Sequence, residues 1–299
     1  STAPSPSGPS SRQSRPDAAP IAALRHRLAV PAAKVPSPLG NYVKDAYCFL
    51  LEHYDRGPGP VEQRDQIFIF GFSRGAYTAR VLAGFIRAFG LIEKRNLNLL
   101  NYGYRAYKRL GEGGTTGFEE IRLFERMLDP DRPPIRLLGL FDTVSSVIES
   151  GRFGPRLRSH AFTKTNTSVE AVRHAVAIDE RRTMFNPQLW PTGGQFHHHP
   201  LEKSDAKPQD VLEVWFSGTH GDVGGGYPDN QSQLVKVPLK WMIEQAEPFG
   251  LHFIRRNVNS MVLGKPQGGS HYVAPDGAVK RKRCGEGTVI ACGHSGGPG

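Results

Sequence analysis

Residues 66–80 read QIFIFGFSRGAYTAR, and this stretch constrains the fold more than any other. Ile67, Phe68, Ile69 and Phe70 form a short continuous apolar run, as a strand buried on both faces requires. A Gly-x-Ser-x-Gly pentapeptide centred on Ser73 follows. From Ala76 the residues suit a helix, with Leu82, Phe85, Ile86 and Phe89 at helical spacing and Gly90 as its stop. Strand, sharp turn and helix in that order lift a serine hydroxyl above a sheet edge and aim the helix N–H groups at a reacting oxygen. With 34 glycines in 299 residues the pentapeptide alone decides little; the flanking elements carry the reading. The pattern recurs as GHSGG at 293–297, after the strand-like Thr288–Ala291. No helix-forming stretch, Asp or His follows it in the sequence, so Ser295 is set aside as a nucleophile.

The rest of the chain alternates in the same way. Tyr42–Tyr54 carries apolar residues at 43, 46, 47, 50, 51 and 54, one face of a helix. A Tyr-rich amphipathic segment at 97–110 and a helix at 117–128, ending before Pro130, come after the elbow. Ile135–Phe141 and Val211–Phe216 read as further buried strands, and Pro238 opens a helix through Gln245. Ser168 is read as the cap of a helix running to Ile178, with Arg173 and His174 on its polar side. Strands separated by helices predict an α/β fold, a mainly parallel sheet with helices on both faces.

Composition marks off the ends. Residues 1–38 are rich in Pro, Ala and Ser, hold five bases against Asp17 alone, and read as disordered. The catalytic domain is placed at 39–264, and 265–299 is a Gly-rich basic tail containing Lys280-Arg281-Lys282-Arg283. That run reads as a nuclear address, an anionic-surface patch or, the favoured reading, a solvated tail. These two ends account for much of the net charge of +10, so the body is mildly basic and shows no nucleic-acid module. No stretch approaches a membrane span. Cys48, Cys284 and Cys292 form neither a zinc pattern nor an even disulfide set, which favours a cytoplasmic over a secreted setting. His197-His198-His199 reads as a polar loop, and no metal or organic cofactor is expected.

In an open parallel sheet, reactive groups gather beyond the carboxyl ends of the strands. Asp142 follows the run IRLLGLF, and His220 and Asp222 follow VLEVWF in the segment SGTHGDVGGGYPD. Ser73, Asp142 and His220 therefore fall at three strand ends in Ser…Asp…His order. A serine hydroxyl needs a base to take its proton, and a carboxylate on the other ring nitrogen fixes the histidine tautomer. The N–H of Arg74 is the candidate oxyanion donor. Asp222 is the rival acid or a shaper of the Gly224-Gly225-Gly226 turn, which lacks the Lys-Ser/Thr of a phosphate loop. A cation at Asp222 and Asp229 has weak support. The Arg74 side chain is read as an ion-pair partner or a head-group contact, and Asp179-Glu180-Arg181-Arg182 as a surface ion network in preference to a cleft lining.

Four segments, GFSRGAYTAR, LGLFDTV, HAVAIDERR (read as a helix end) and FSGTHGDVGGGYP, resemble the α/β-hydrolase-like catalytic domain of type VI secretion phospholipase effectors over about Asn41 to Phe253. The resemblance implies hydrolysis of phospholipid ester bonds by a Ser–Asp–His triad, with Ser73 as nucleophile, His220 as base and Asp142 as acid. Two departures stand out. The family's first strand, ending in Asp-Gly-Thr, is missing upstream of Asn41, and with it a second oxyanion donor. Gly221 stands where many relatives have serine. The expected function is a serine carboxylic-ester hydrolase, phospholipase or lipase-like, with an acyl-enzyme. The rival readings are an inactive hydrolase-like binding module and a peripheral module on anionic membrane.

Overall fold

A computed structural model describes residues 39–57, 64–112, 115–144, 148–151, 154–157, 160–197, 206–228 and 233–263. The expectations for residues 1–38 and for the tail from 265, including Lys280–Arg283, Cys284, Cys292 and Ser295, lie outside the described residues, as do His198, His199 and Asp229.

Four strands, β1 (Ile67–Phe72), β2 (Ile135–Phe141), β5 (Val169–Ala177) and β8 (Asp210–Phe216), form an all-parallel sheet in the order β1-β2-β5-β8. Two antiparallel pairs, β3 (Ile148–Gly151) with β4 (Gly154–Leu157) and β6 (Gln195–Phe196) with β7 (Lys207–Pro208), sit in the connections. Among the described residues nothing pairs with the outer edge of β1, and no strand precedes it. The architecture is α/β-hydrolase-like, and among the described residues it holds no counterpart of the first strand that the resemblance implies.

Parallel strands need crossovers and covered faces, and the helices supply both. Helix α1 (Leu39–His53) buries Val43, Tyr47 and Leu51 at four-residue spacing. It packs in one cluster with α2 (Arg74–Phe89), α3 (Leu100–Gly111), α4 (Thr115–Leu128) and the strand residues Ile69, Leu138, Leu140 and Val172. On the other face α6 (Lys236–Ala246) lays Trp241 and Met242 against Ala175, Val214 and Phe216. Tyr47 ties the first layer together: its hydroxyl donates to Gly90 O at 2.7 Å and accepts from Ile92 N–H at 3.1 Å.

Residues 168–178, expected to be a helix, are the central strand β5. Its valines and alanines satisfy helical spacing only because a strand buried on both faces is apolar at nearly every position. The residues that looked like a solvated face are buried instead. Arg173 pairs with Asp210 at 2.7 Å and His174 with Glu213 at 2.6 Å, so both side chains find their partners across the β5–β8 ladder.

Candidate active site

The register brings three strand ends to one level. Phe72 lies opposite Phe141, and Phe141 opposite Ala175. The ladder runs one residue further: Ser73 N–H donates to Phe141 O at 3.0 Å, and Asp142 N–H to Ala175 O at 2.7 Å. Ser73 and Asp142 are thus fixed by adjacent backbones before their side chains do anything.

Ser73 stands between β1 and α2 with φ 57° and ψ −123°, a conformation that costs a non-glycine residue about 1–3 kcal/mol and marks over-determined turns. Gly71 is required there, since a Cβ on it would lie 2.4 Å from Gly75 O. A Cβ on Gly75 would meet nothing within 4 Å, so the second glycine of the pentapeptide faces open space among the described residues. Arg74 opens α2, and its N–H is one of the first-turn donors that lack an intrahelical acceptor. Its side chain is exposed and makes no ion pair among the described residues, so the expected partner acid is not there.

Asp142 is 1% exposed and also carries a positive φ, 41°. Both carboxylate oxygens are used: Oδ1 accepts from Ala177 N–H at 3.0 Å, and Oδ2 lies 2.6 Å from His220 Nδ1. The imidazole is held between Phe72 and Phe185, with ring centroids 4.6 and 4.7 Å away. A carboxylate on Nδ1 makes that nitrogen the donor and leaves Nε2 as the basic one. Ser73 Oγ makes no hydrogen bond among the described residues, and the elbow meets the histidine through Phe72.

His220 is the first residue of α5 (His220–Gly224), whose cap identifies the role of Asp222. Asp222 Oδ2 accepts from both the N–H and the hydroxyl of Thr219 at 2.8 Å, completing a capping box. The structure therefore brings Asp142, not Asp222, to His220. The three glycines that follow differ in cause: a Cβ on Gly224 would lie 1.8 Å from the Phe72 ring, whereas Gly225 and Gly226 have φ 90° and 113°. Gly221 has the Tyr227 ring where a side chain would go, which accounts for the missing serine.

Three features escaped the sequence reading. Glu180 Oε2 accepts His220 N–H at 3.2 Å while Arg182 grips the same carboxylate at 2.7 Å, holding its pKa down at about 2. Residues 179–182 thus form the expected ion pair and also support the site, from a strand end and not a helix end. Arg80 is wholly buried in α2; it donates to Gln188 O at 2.6 Å, and burial lowers its pKa to about 10. His174 is wholly buried behind Asp142. The available signal was a single charge inside each apolar run, Arg80 in ARVLAGF and Glu213 in VLEVWF, since a lone buried charge demands a partner. Among the described residues no three His, Cys, Asp or Glu side chains gather as a metal site, and no helix is long and apolar enough to cross a membrane.

The family model for the catalytic domain of Tle1-like phospholipase effectors of type VI secretion matches residues 24–245. The chain belongs to this Tle1-like family. The Tle1-like chain is 35% identical over 158 residues to the uncharacterised protein YEL023C of Saccharomyces cerevisiae, covering 49% of this chain and 21% of that protein. It is similar to a crystal structure of an uncharacterised protein from Pseudomonas aeruginosa, at 21% identity and TM-score 0.35, over 71% of this chain and 27% of that one. It is also similar to the Tle1 effector bound to the VgrG spike of the type VI secretion system, at 22% identity and TM-score 0.28, over 56% and 26% of the two chains. The Tle1-like chain therefore spans about a quarter or less of the length of these relatives. The family's description is that of phospholipase effector catalytic domains.

Proposed function

We propose that this chain is a serine carboxylic-ester hydrolase acting on phospholipid or a related acyl ester. The observation that carries the reading is the 2.6 Å bond between buried Asp142 and His220 Nδ1, set beside the strained turn at Ser73. His220 Nε2 takes the Ser73 proton as Oγ attacks the ester carbonyl. The Arg74 N–H stabilises the developing oxyanion, and the tetrahedral intermediate collapses to an acyl-Ser73 with release of the alcohol. His220, now protonated, gives its proton to the leaving oxygen; water activated by His220 then releases the acid. A lipid substrate is supported by the family's phospholipase description, and peripheral contact with an anionic membrane by the basic balance of the chain.

A second reading, a hydrolase-like module that binds without turnover, is favoured by one observation. The outer edge of β1 has no partner and Gly75 faces open space, so among the described residues the Arg74 N–H stands as the one candidate oxyanion donor. A missing donor costs about 10²–10³ in rate. Fluorophosphonate labelling of the chain, with Ser73→Ala and Ser295→Ala beside it, separates the two. Labelling lost only in Ser73→Ala supports the hydrolase and opens a screen of phospholipid esters. An unlabelled, folded wild type supports the binding module.

A further inference from the structure

Among the buried groups that the chemistry above leaves unused is His174, in the middle of β5. It is 0% exposed, and both of its ring nitrogens are engaged. The Thr143 N–H donates to Nε2 at 3.1 Å, and Nδ1 lies 2.6 Å from Glu213 Oε1. A nitrogen that accepts from a backbone N–H carries no proton, so Nε2 holds the lone pair and Nδ1–H donates to Glu213. The ring is neutral in this arrangement, and burial acts in the same direction by lowering its pKa.

The N–H that His174 accepts belongs to the peptide joining Asp142 to Thr143. That peptide follows a residue at φ 41°, where an L-residue is held only by its surroundings. The turn beyond it is fixed from the other side: Gln188 N–H donates to Thr143 O at 2.9 Å, and Trp190 N–H shares Glu213 Oε1 at 2.9 Å. If the Asp142–Thr143 peptide loses its anchor, the backbone angles at Asp142 relax from the positive φ, which swings its Cα–Cβ bond and draws the carboxylate away from His220.

We propose that His174 is a positioning residue of the site: as the Nδ1–H tautomer locked by Glu213, it orients the Asp142–Thr143 peptide and thereby aims the Asp142 carboxylate at His220. This rests on reading Asp142 and His220 as the acid–base pair. Glu213 is the outer member of the relay, fixing a tautomer two bonds away from the chemistry. His174 touches neither substrate nor the reacting atoms; it acts through Asp142.

The test uses the whole chain with His174→Asn and His174→Gln. Asn places its amide near the Nδ1 position and leaves Thr143 N–H without an acceptor; Gln reaches the Nε2 position and can accept from it. The readout is the far-downfield proton resonance of the Asp142–His220 bond, together with kcat and KM on whichever ester the wild type turns over. His174→Asn is expected to weaken or lose the resonance and lower kcat about 10–100-fold at little-changed KM, as loss of a group orienting a functional ligand does. His174→Gln is expected to restore both. A folded His174→Asn chain with the resonance and kcat of wild type overturns the proposal. Nitrogen-15 spectra of wild-type His174 test it even if neither variant folds: a protonated Nε2 at the working pH overturns it, and an unprotonated Nε2 beside a protonated Nδ1 upholds it. The resonance requires no turnover, so an inactive wild type that shows it removes the ester-hydrolase reading and leaves the positioning claim standing.

Discussion

Replacing Gly224 by Ala tests the contact on which the candidate base depends. A Cβ at this position would lie 1.8 Å from Phe72 Cδ2, 1.9 Å from Cε2 and 2.5 Å from Cγ, so three ring atoms obstruct it at once. The ring must withdraw by roughly 1.6 Å to recover ordinary contact, and it cannot do so alone, because its other neighbour is the His220 imidazole at 4.6 Å. The φ of Gly224 is not in the left-handed region, so the penalty is steric. Overpacking of this kind costs about 1–3 kcal/mol, and a domain of this size loses about 2–4 °C in Tm for each kcal/mol. Misplacing a reacting group by about 1 Å can cost roughly 10² in rate, so fluorophosphonate labelling should slow far more than the melting temperature implies. Gly226→Ala is the control: nothing lies within 4 Å of its Cβ but φ is 113°, so its penalty is in the backbone and Phe72 is untouched. Adding Phe72→Ala to Gly224→Ala should return part of the lost stability without returning the labelling rate. A Gly224→Ala chain that melts and labels like wild type would show that Phe72 does not lie between α5 and the elbow.

Other outcomes follow from the same geometry. Asp142→Asn, which keeps the shape but not the charge facing His220, should leave the fold intact and lower the labelling rate by up to about 10⁴. Asp222→Ala should cost only about 0.5–2 kcal/mol in urea melts through its lost cap, with the Asp142–His220 resonance retained; loss of that resonance would restore Asp222 as the acid. Arg80→Ala should cost about 3–5 kcal/mol, since it leaves the part-buried Gln188 carbonyl and the Glu213 carboxylate without their cation. Stability followed in urea melts should rise with pH in two windows. Burial keeps His174 below its ordinary 6.5, so the unfolded chain binds the extra proton as pH falls below that value, and His174→Gln should flatten that limb. Glu180 is held at about 2 by Arg182 against an ordinary 4.5; its contribution is present above 4.5 and fades as pH falls toward 2, a limb that Glu180→Gln should remove.

Most of the candidate site could be read from the sequence because its residues follow runs that are predominantly apolar. Ile67–Phe72, Ile135–Phe141 and Asp210–Phe216 are strands that face helices on both sides, and Ser73, Asp142 and His220 lie just past their ends. The fourth strand was misread for a physical reason. Buried on both faces, β5 spends two interior positions on Arg173 and His174, whose partners lie 37 and 39 residues further along the chain. Local periodicity carries no trace of such partners, so the pair looked like the wet side of a helix. Asp222 stayed ambiguous because a capping box and a triad acid both ask for a carboxylate near the histidine; only the Thr219 hydrogen bonds separate them. The two-residue strands Gln195–Phe196 and Lys207–Pro208 are too short to leave a pattern.

The charges inside β5 also bear on how the chain avoids assembling wrongly. Val, Leu and Ala would pack about as well if β8 slid along β5 by two residues, the smallest slip that keeps every side chain on its own face. Such a slip moves the strand by about 6.6 Å. It would tear Arg173 from Asp210 and His174 from Glu213, leaving the buried Arg173 and His174 and the nearly buried Glu213 to face apolar neighbours. It would also carry His220 out of reach of Asp142. The two pairs thus work as a proofreading device for assembly, making the alignment that brings His220 to Asp142 also the one that leaves no buried polar group stranded.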